Sequence, residues 1–219
     1  MPLSVANPLE TGLSTEEQAE LVRISHHKSF RAGSELFSQH SVAHSVFIIE
    51  QGELLVERYS TEGRRQVLAF VFPGNYLGLT NNAFYEYSVR TLTDGKLTAI
   101  SRNDLFALSN RIPRLKENLD SMVYNVIMRL FDHLFALGQK DARERLSFLL
   151  FQLAERHRPA ASSFRLQMSR QDIADHLGLN PETVSRTFSR LRKEGVIEVE
   201  SAHYVKILNL QKLKALAGD

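Results

Sequence analysis

Between Thr183 and Lys193 the chain carries four basic residues, Arg186, Arg190, Arg192 and Lys193, and no acid. Glu182 stands just ahead of them, and Ser185 lies between. These are side chains that can read or grip duplex nucleic acid. A guanidinium can donate two hydrogen bonds to a guanine edge, and a carboxylate can accept one from a cytosine amino group. Lysine and arginine neutralise phosphates whatever the sequence. The charge alone would equally suit an ordinary amphipathic helix with a solvated basic face. The residues around it decide between the two.

Those residues, SRQDIADHLGLNPETVSRTFSRLRKEGVIEV at 169–199, have the layout of a helix-turn-helix followed by the start of a wing. Ser169 can cap a first helix whose inner face is Ile173, Ala174 and Leu177. Gly178 permits the left-handed backbone that ends it. Asn180 caps the second helix, with Pro181 at the first helical position, where a missing N–H does no harm. Val184, Phe188 and Leu191 follow at i, i+4, i+7 and face inward. Glu182, Ser185, Arg186, Ser189 and Lys193 face outward. A basic C-terminal half with polar groups near the start suits a helix docking in the major groove.

The run ETVSR inside DIADHLGLNPETVSR resembles the recognition helix of the Crp-Fnr transcription-factor family, and most closely its Fnr and FixK-type branch. The resemblance extends over nearly the whole chain. It implies a homodimer on double-stranded promoter DNA, contact with RNA polymerase, and action as an activator. It assigns Glu182, Ser185 and Arg186 to the bases of a TTGAT half-site within a TTGAT-N4-ATCAA-like palindrome. Ser169, Arg170, Ser189, Arg190, Arg192 and Lys193 are expected on the DNA backbone.

At 219 residues with 43% hydrophobic content, the chain can hold two small folded domains. The formal net charge of +2 is too small to imply nucleic-acid binding by itself. The absence of cysteine excludes disulfides, thiol catalysis and a cysteine-held iron–sulfur cluster, and it fits a cytosolic protein. No apolar run reaches the roughly 18 residues of a membrane helix. The N-terminus lacks the pattern of a secretory signal.

The elements that position the basic helix are read as follows. Residues 1–13 look irregular, and Ser14 to Glu17 forms an S-x-x-E capping box opening a short helix. From His26 to Ser101, short apolar runs broken by turn residues read as strands. Gln51-Gly52 and Asp94-Gly95 are expected hairpin turns. Many short strands argue for a small barrel or roll, and the layout resembles the family's cyclic-nucleotide-binding β-roll. The fold class expected is α+β, with three segments. Residues 1–110 form a helix and sensor-like roll, residues 111–138 a dimerisation helix, and residues 139–219 a winged helix-turn-helix.

The long helix starting at Pro113 carries two apolar seams. Leu115, Leu119, Met122 and Val126 would lie on its own domain. Val123, Ile127, Leu130, Leu134 and Leu137 alternate spacings of four and three, as a coiled-coil partner requires. A helix buried on both sides within one domain is the alternative. Gly138-Gln139-Lys140 is expected to break this helix, and Asp141 to cap the next. RPAASS at 158–163 reads as a loop, and Ser201-Ala202-His203 as the wing tip.

Enzyme motifs are missing: there is no glycine-rich phosphate loop, no G-x-S-x-G and no H-E-x-x-H. No catalytic residue, metal ligand or cofactor is therefore assigned. Glu50, Glu53 and Glu57 alternate along strands and read as solvated faces. In the roll, cyclic-AMP receptors of this family carry a Gly-Glu pair and then an arginine for the cyclic phosphate. Here Leu79 stands where the glutamate belongs, and the arginine position falls around Tyr85–Tyr87, with Arg90 further on. Cyclic-nucleotide sensing is therefore not expected. An effector in the roll, either haem with a diatomic gas or a nucleotide, is the alternative, although none of the eight histidines stands in a spacing that singles it out. A ligand-binding module acting through protein contacts is the other alternative, and the basic helix argues against it.

Overall fold

Ser14 and Glu17 exchange hydrogen bonds across the first helical turn. The Ser14 hydroxyl accepts from the Glu17 N–H at 3.3 Å, and the Glu17 carboxylate from the Ser14 N–H at 2.7 Å. This reciprocal cap satisfies two donors the helix leaves orphaned. It starts α1 (Thr15–Arg23) where the sequence pattern places it, after one 3-10 turn at Pro8–Glu10 in the stretch expected to be irregular. The computed structural model describes residues 7–157, 163–201 and 203–218. The chain divides into two compact units, Met1–Met128 and Arg129–Asp219.

In the first unit α1 is followed by β1 (Ser25–Phe30), β2 (Glu35–Phe37), β3 (Ser45–Gln51), β4 (Leu54–Tyr59), β5 (Arg65–Val71), β6 (Tyr76–Leu77), β7 (Ser88–Thr91) and β8 (Gly95–Ser101). They form two antiparallel sheets, β1-β8-β3-β6 and β2-β7-β4-β5. Both expected hairpins are corrected here. The strands flanking Gln51-Gly52 belong to different sheets, and so do those flanking Asp94-Gly95. A turn dipeptide signals a reversal, but partners are chosen by burial far along the chain, and each turn carries the chain from one sheet to the other. The glycine at 95 meets a packing demand: a Cβ there would lie 2.2 Å from the Gln51 carbonyl oxygen. The hairpin of this region is β4–β5, with Tyr59 opposite Arg65.

Between the sheets lies a core of Phe37, Phe47, Ile49, Leu54, Val56, Val89, Leu97 and neighbours. The Phe37 ring stacks on Tyr85 at 3.9 Å between centroids. The outer face of the β1-β8-β3-β6 sheet presents Val46, Ile48 and Ile100 to a second core, built with Leu21 of α1, Leu105 and Leu108 of α2 (Arg102–Arg111), and Leu115, Leu119 and Met122 of α3 (Pro113–Gln139). A fully buried leucine in such a core contributes roughly 1.5–3 kcal/mol. Val126 departs from the expected inner seam, being 41% exposed, because α3 leaves this core after Met122.

The carboxylates also need correction. Glu57 is buried, with Arg65 Nε donating to it at 2.7 Å. Glu50 accepts from the Thr98 hydroxyl and meets His27 Nδ1 at 2.7 Å. The partners come from other strands of the same sheet, so alternation along one strand could not show them.

Gly138 does not break α3, which continues to Gln139. Arg145 satisfies the last carbonyls, donating from Nη2 to Leu137 O and from Nε to Lys140 O, both at 2.8 Å. In the second unit come α4 (Ala142–His157), β9 (Ser163–Arg165), α5 (Arg170–Leu177), α6 (Pro181–Lys193), β10 (Ile197–Ser201), β11 (Tyr204–Ile207) and α7 (Leu210–Ala217). Asp141 caps α4 as expected, its Oδ1 accepting from the N–H groups of Arg143 and Glu144 at 2.8 and 2.9 Å. The expected loop at 158–163 falls outside the described residues except for Ser163, which belongs to β9. Ser201 pairs with Tyr204 and so lies in β10 rather than in the wing tip, while Ala202 is outside the described residues.

Candidate nucleic-acid interface

Local hydrogen bonds fix α5 and α6. The Ser169 hydroxyl accepts from Asp172 N–H at 3.1 Å and donates to Asp172 Oδ2 at 2.7 Å, and that oxygen also takes the Ser169 N–H at 2.9 Å. Gly178 ends α5 at φ +63°, a conformation costly for a residue with a Cβ. Arg145 Nη1 donates to the Leu177 carbonyl at 2.9 Å, holding the turn against the start of α4. The Asn180 side chain then accepts from Thr183 N–H at 2.7 Å and starts α6.

The inner face is as the periodicity predicts. Ile173, Ala174, Leu177, Val184, Phe188 and Leu191 are all buried. Val184, Phe188 and Leu191 turn α6 so that Glu182, Ser185, Arg186, Ser189, Arg190, Arg192 and Lys193 are exposed. Ser185, Arg186, Ser189, Arg190 and Lys193 line one concave surface along this face. Glu182 occupies the first turn, where the helix dipole favours an anion, and Arg190, Arg192 and Lys193 occupy the last turn, where it favours cations.

The remaining expected residues are placed less uniformly. The Ser169 hydroxyl is engaged in its cap. The Arg170 guanidinium lies over the Phe188 ring at 3.5 Å, and burial lowers its pKa from the ordinary arginine value. It stays a cation, because arginine has far to fall before it loses its proton. On α3, Val123, Ile127, Leu130 and Leu134 are exposed, and Leu137 is half-buried. Arg186 Nη2 donates to the Thr183 hydroxyl at 3.1 Å, which steadies its side chain along the helix.

Sequence reasoning missed three contributors. Asp172 was readable, since it stands three residues after Ser169 in a capping-box pattern. Arg145 was not, because its three carbonyl partners meet only in the folded unit. Glu194 accepts from Arg190 Nε at 3.0 Å and also from Arg143 Nη2. The first contact follows from i, i+4 spacing on a helix; the second joins α4 to the end of α6. Desolvation pushes the Glu194 pKa up, but the hydrogen bonds and positive charges of the two arginines outweigh it and hold the carboxyl below its ordinary value.

The wing is the β10-β11-β9 sheet, in which Lys206 and Glu198 pair at 3.2 Å. Among the described residues no group of three or more histidine, aspartate or glutamate side chains could hold a metal ion. No described helix is long and apolar enough to cross a membrane.

Known proteins share both units. Residues 144–216 match the Crp-like helix-turn-helix domain, and residues 27–111 match the cyclic nucleotide-binding domain. The chain is 32% identical to the nitrogen fixation regulation protein FixK of Azorhizobium caulinodans, across 99% of this chain and 90% of that protein. It is 33% identical to the transcriptional activator protein anr of Pseudomonas aeruginosa, across 87% and 80%. The solved structure of FixK2 from Bradyrhizobium japonicum is similar with a TM-score of 0.83 at 28% identity, across 88% of this chain and 97% of that one. With both domains matched and about a third of its residues identical to such regulators over nearly its whole length, the chain belongs to the Crp-Fnr family of transcription regulators.

Proposed function

We propose that the chain is a homodimeric transcription activator that binds a TTGAT-N4-ATCAA-like palindrome in promoter DNA and contacts RNA polymerase, acting in the cytoplasm. The observation that carries this reading is the exposed face of α6. Glu182, Ser185 and Arg186 project from its first two turns, and the cations follow toward its end. In the proposed docking, Arg186 reads the guanine of the half-site and Glu182 a cytosine on the opposing strand. Ser185 touches a thymine. Ser169, Arg170, Ser189, Arg190, Arg192 and Lys193 meet the backbone.

Two-fold symmetry in the DNA calls for two-fold symmetry in the protein. The exposed apolar seam Val123, Ile127, Leu130 and Leu134, with Leu137 at its end, supports pairing along α3. In this reading residues 1–110 form the sensor-like part, 111–138 the dimerisation helix and 139–219 the DNA-binding part. The activator role rests on relatives such as the anr protein, described as a transcriptional activator. The test is a binding selection from random duplex DNA, followed by transcription in vitro from a promoter carrying the selected site. Enrichment of TTGAT repeats with polymerase-dependent stimulation supports the reading; enrichment of TGTGA half-sites, or of none, overturns it.

A further inference from the structure

Arg190 is the one cation of α6 held in an ion pair among the described residues. Its Nε donates to Glu194 Oε1 at 3.0 Å, and the other oxygen of that carboxylate is taken by Arg143 Nη2. The Glu194 side chain is 25% exposed, whereas that of Arg190 is 61% exposed. Glu194 is itself fixed. Its N–H caps α6 on the Arg190 carbonyl at 3.0 Å, and its own carbonyl accepts from Lys212 Nζ at 2.9 Å. A carboxylate shared with α4 therefore grips the inner nitrogen of an arginine that lines the concave surface with Ser185, Arg186, Ser189 and Lys193.

We infer that Glu194 is a specificity-determining positioning residue: it orients Arg190 toward a single phosphate of a correctly docked site and offsets its charge elsewhere. The inference rests on the DNA-binding reading above. Non-specific affinity comes almost wholly from cations that reach any nearby phosphate. An arginine free to swing would add to every register alike. Held by Nε, Arg190 keeps its outer fork for a phosphate in one place, and away from that place its charge is shared with a carboxylate. Glu194 thus lowers non-specific binding more than specific binding. Its depressed pKa keeps it ionised at neutral pH, so the restraint is always present.

The test compares native protein, Glu194→Gln, Arg190→Ala and the double variant on random-sequence duplex DNA and on the selected palindrome, across a salt series. Glutamine can still accept a hydrogen bond, so the arginines keep a partner, and melting curves check that each variant is folded. Glu194→Gln should raise non-specific affinity several-fold. It should steepen the dependence of log Kobs on log salt by about one for each subunit and reduce the specific-to-non-specific ratio. In the Arg190→Ala background the same change should leave the slope where Arg190→Ala alone puts it. An unchanged slope for Glu194→Gln, or an effect that persists without Arg190, overturns the inference. If native protein selects the palindrome while this happens, only the inference fails; if native protein selects no sequence, the DNA-binding reading fails first.

Discussion

The imidazole rings of His133 on α3 and His176 on α5 stack at 4.2 Å between centroids, only 12° from parallel. They join the end of the long helix to the first helix of the helix-turn-helix, beside the Arg145 contacts to Leu137 and Leu177. Burial, and then the charge of Arg145, pull the His133 pKa below the ordinary histidine value of 6.5. An unfolded chain takes up that proton near pH 6.5, whereas the folded one resists it. Stability is therefore complete above about pH 6.5 and is lost as pH falls below it toward the depressed folded value. Melting curves from about pH 7.5 to about pH 5.5 should show this loss. His133→Phe, which keeps a ring in the stack, should flatten it. A variant that melts with the native pH dependence would mean the titration lies elsewhere.

Arg186→Ala should cost on the order of 1–3 kcal/mol per half-site and relax the preference at one guanine. Lys193→Ala should instead weaken all sequences about equally and reduce the salt slope. Selections repeated with each variant separate the two roles. An unaltered motif for Arg186→Ala would confine that side chain to the backbone.

Leu130→Asp places a carboxylate in the middle of the exposed seam on α3. Two such charges near a dimer axis in an apolar setting are costly. Sedimentation should show a monomer for the variant and a dimer for native protein without added ligand. A variant that still sediments as a dimer would put the interface elsewhere.

The roll should not take up cyclic AMP. Leu79 packs at the helix-side core, Arg90 lies in β7, and Tyr85 fills the inter-sheet core with a ring stacked on Phe37. The Tyr85 hydroxyl donates to the Ser45 carbonyl at 2.7 Å and accepts from the Ser45 N–H at 3.1 Å. Calorimetry should detect no binding, and DNA affinity should not change with the nucleotide. Tyr85→Phe should destabilise the fold by about 1–3 kcal/mol, because it leaves a partly buried backbone pair without its partner. Micromolar binding, or a neutral Tyr85→Phe, would contradict this account.

The helix-turn-helix was legible because its determinants are local. Ser169, Gly178, Asn180 and Pro181 act within one turn of their own position, and Val184, Phe188 and Leu191 repeat with the helical period. The roll was legible only as a set of strands. Nothing near Gln51-Gly52 or Asp94-Gly95 says that the chain changes sheets there, since that choice is made by Phe37, Phe47 and Leu97 meeting between the layers. The burial of Glu57 was hidden for the same reason: Arg65 reaches it from the adjacent strand. On α6 the outward residues could be named from spacing, but Arg143, which shares Glu194 with Arg190, comes from a helix far earlier in the chain.

The pairing of β1 with β8, in which Ser25 lies opposite Ile100 and Phe30 opposite Gly95, sets an order of assembly. Among the described residues β1 has β8 as its one strand partner, so it has nothing there to join until the last strand of the roll exists. During synthesis the β4–β5 hairpin can close early, while the first strand must wait with its backbone groups unpaired. Closing so long a loop makes this a high-contact-order step, and such steps are slow. The winged unit closes over a comparable span, since Lys140 Nζ donates to the Ala217 carbonyl near the end of the chain. Because β8 is synthesised well before α6, the roll has every strand it needs before the basic helix has emerged.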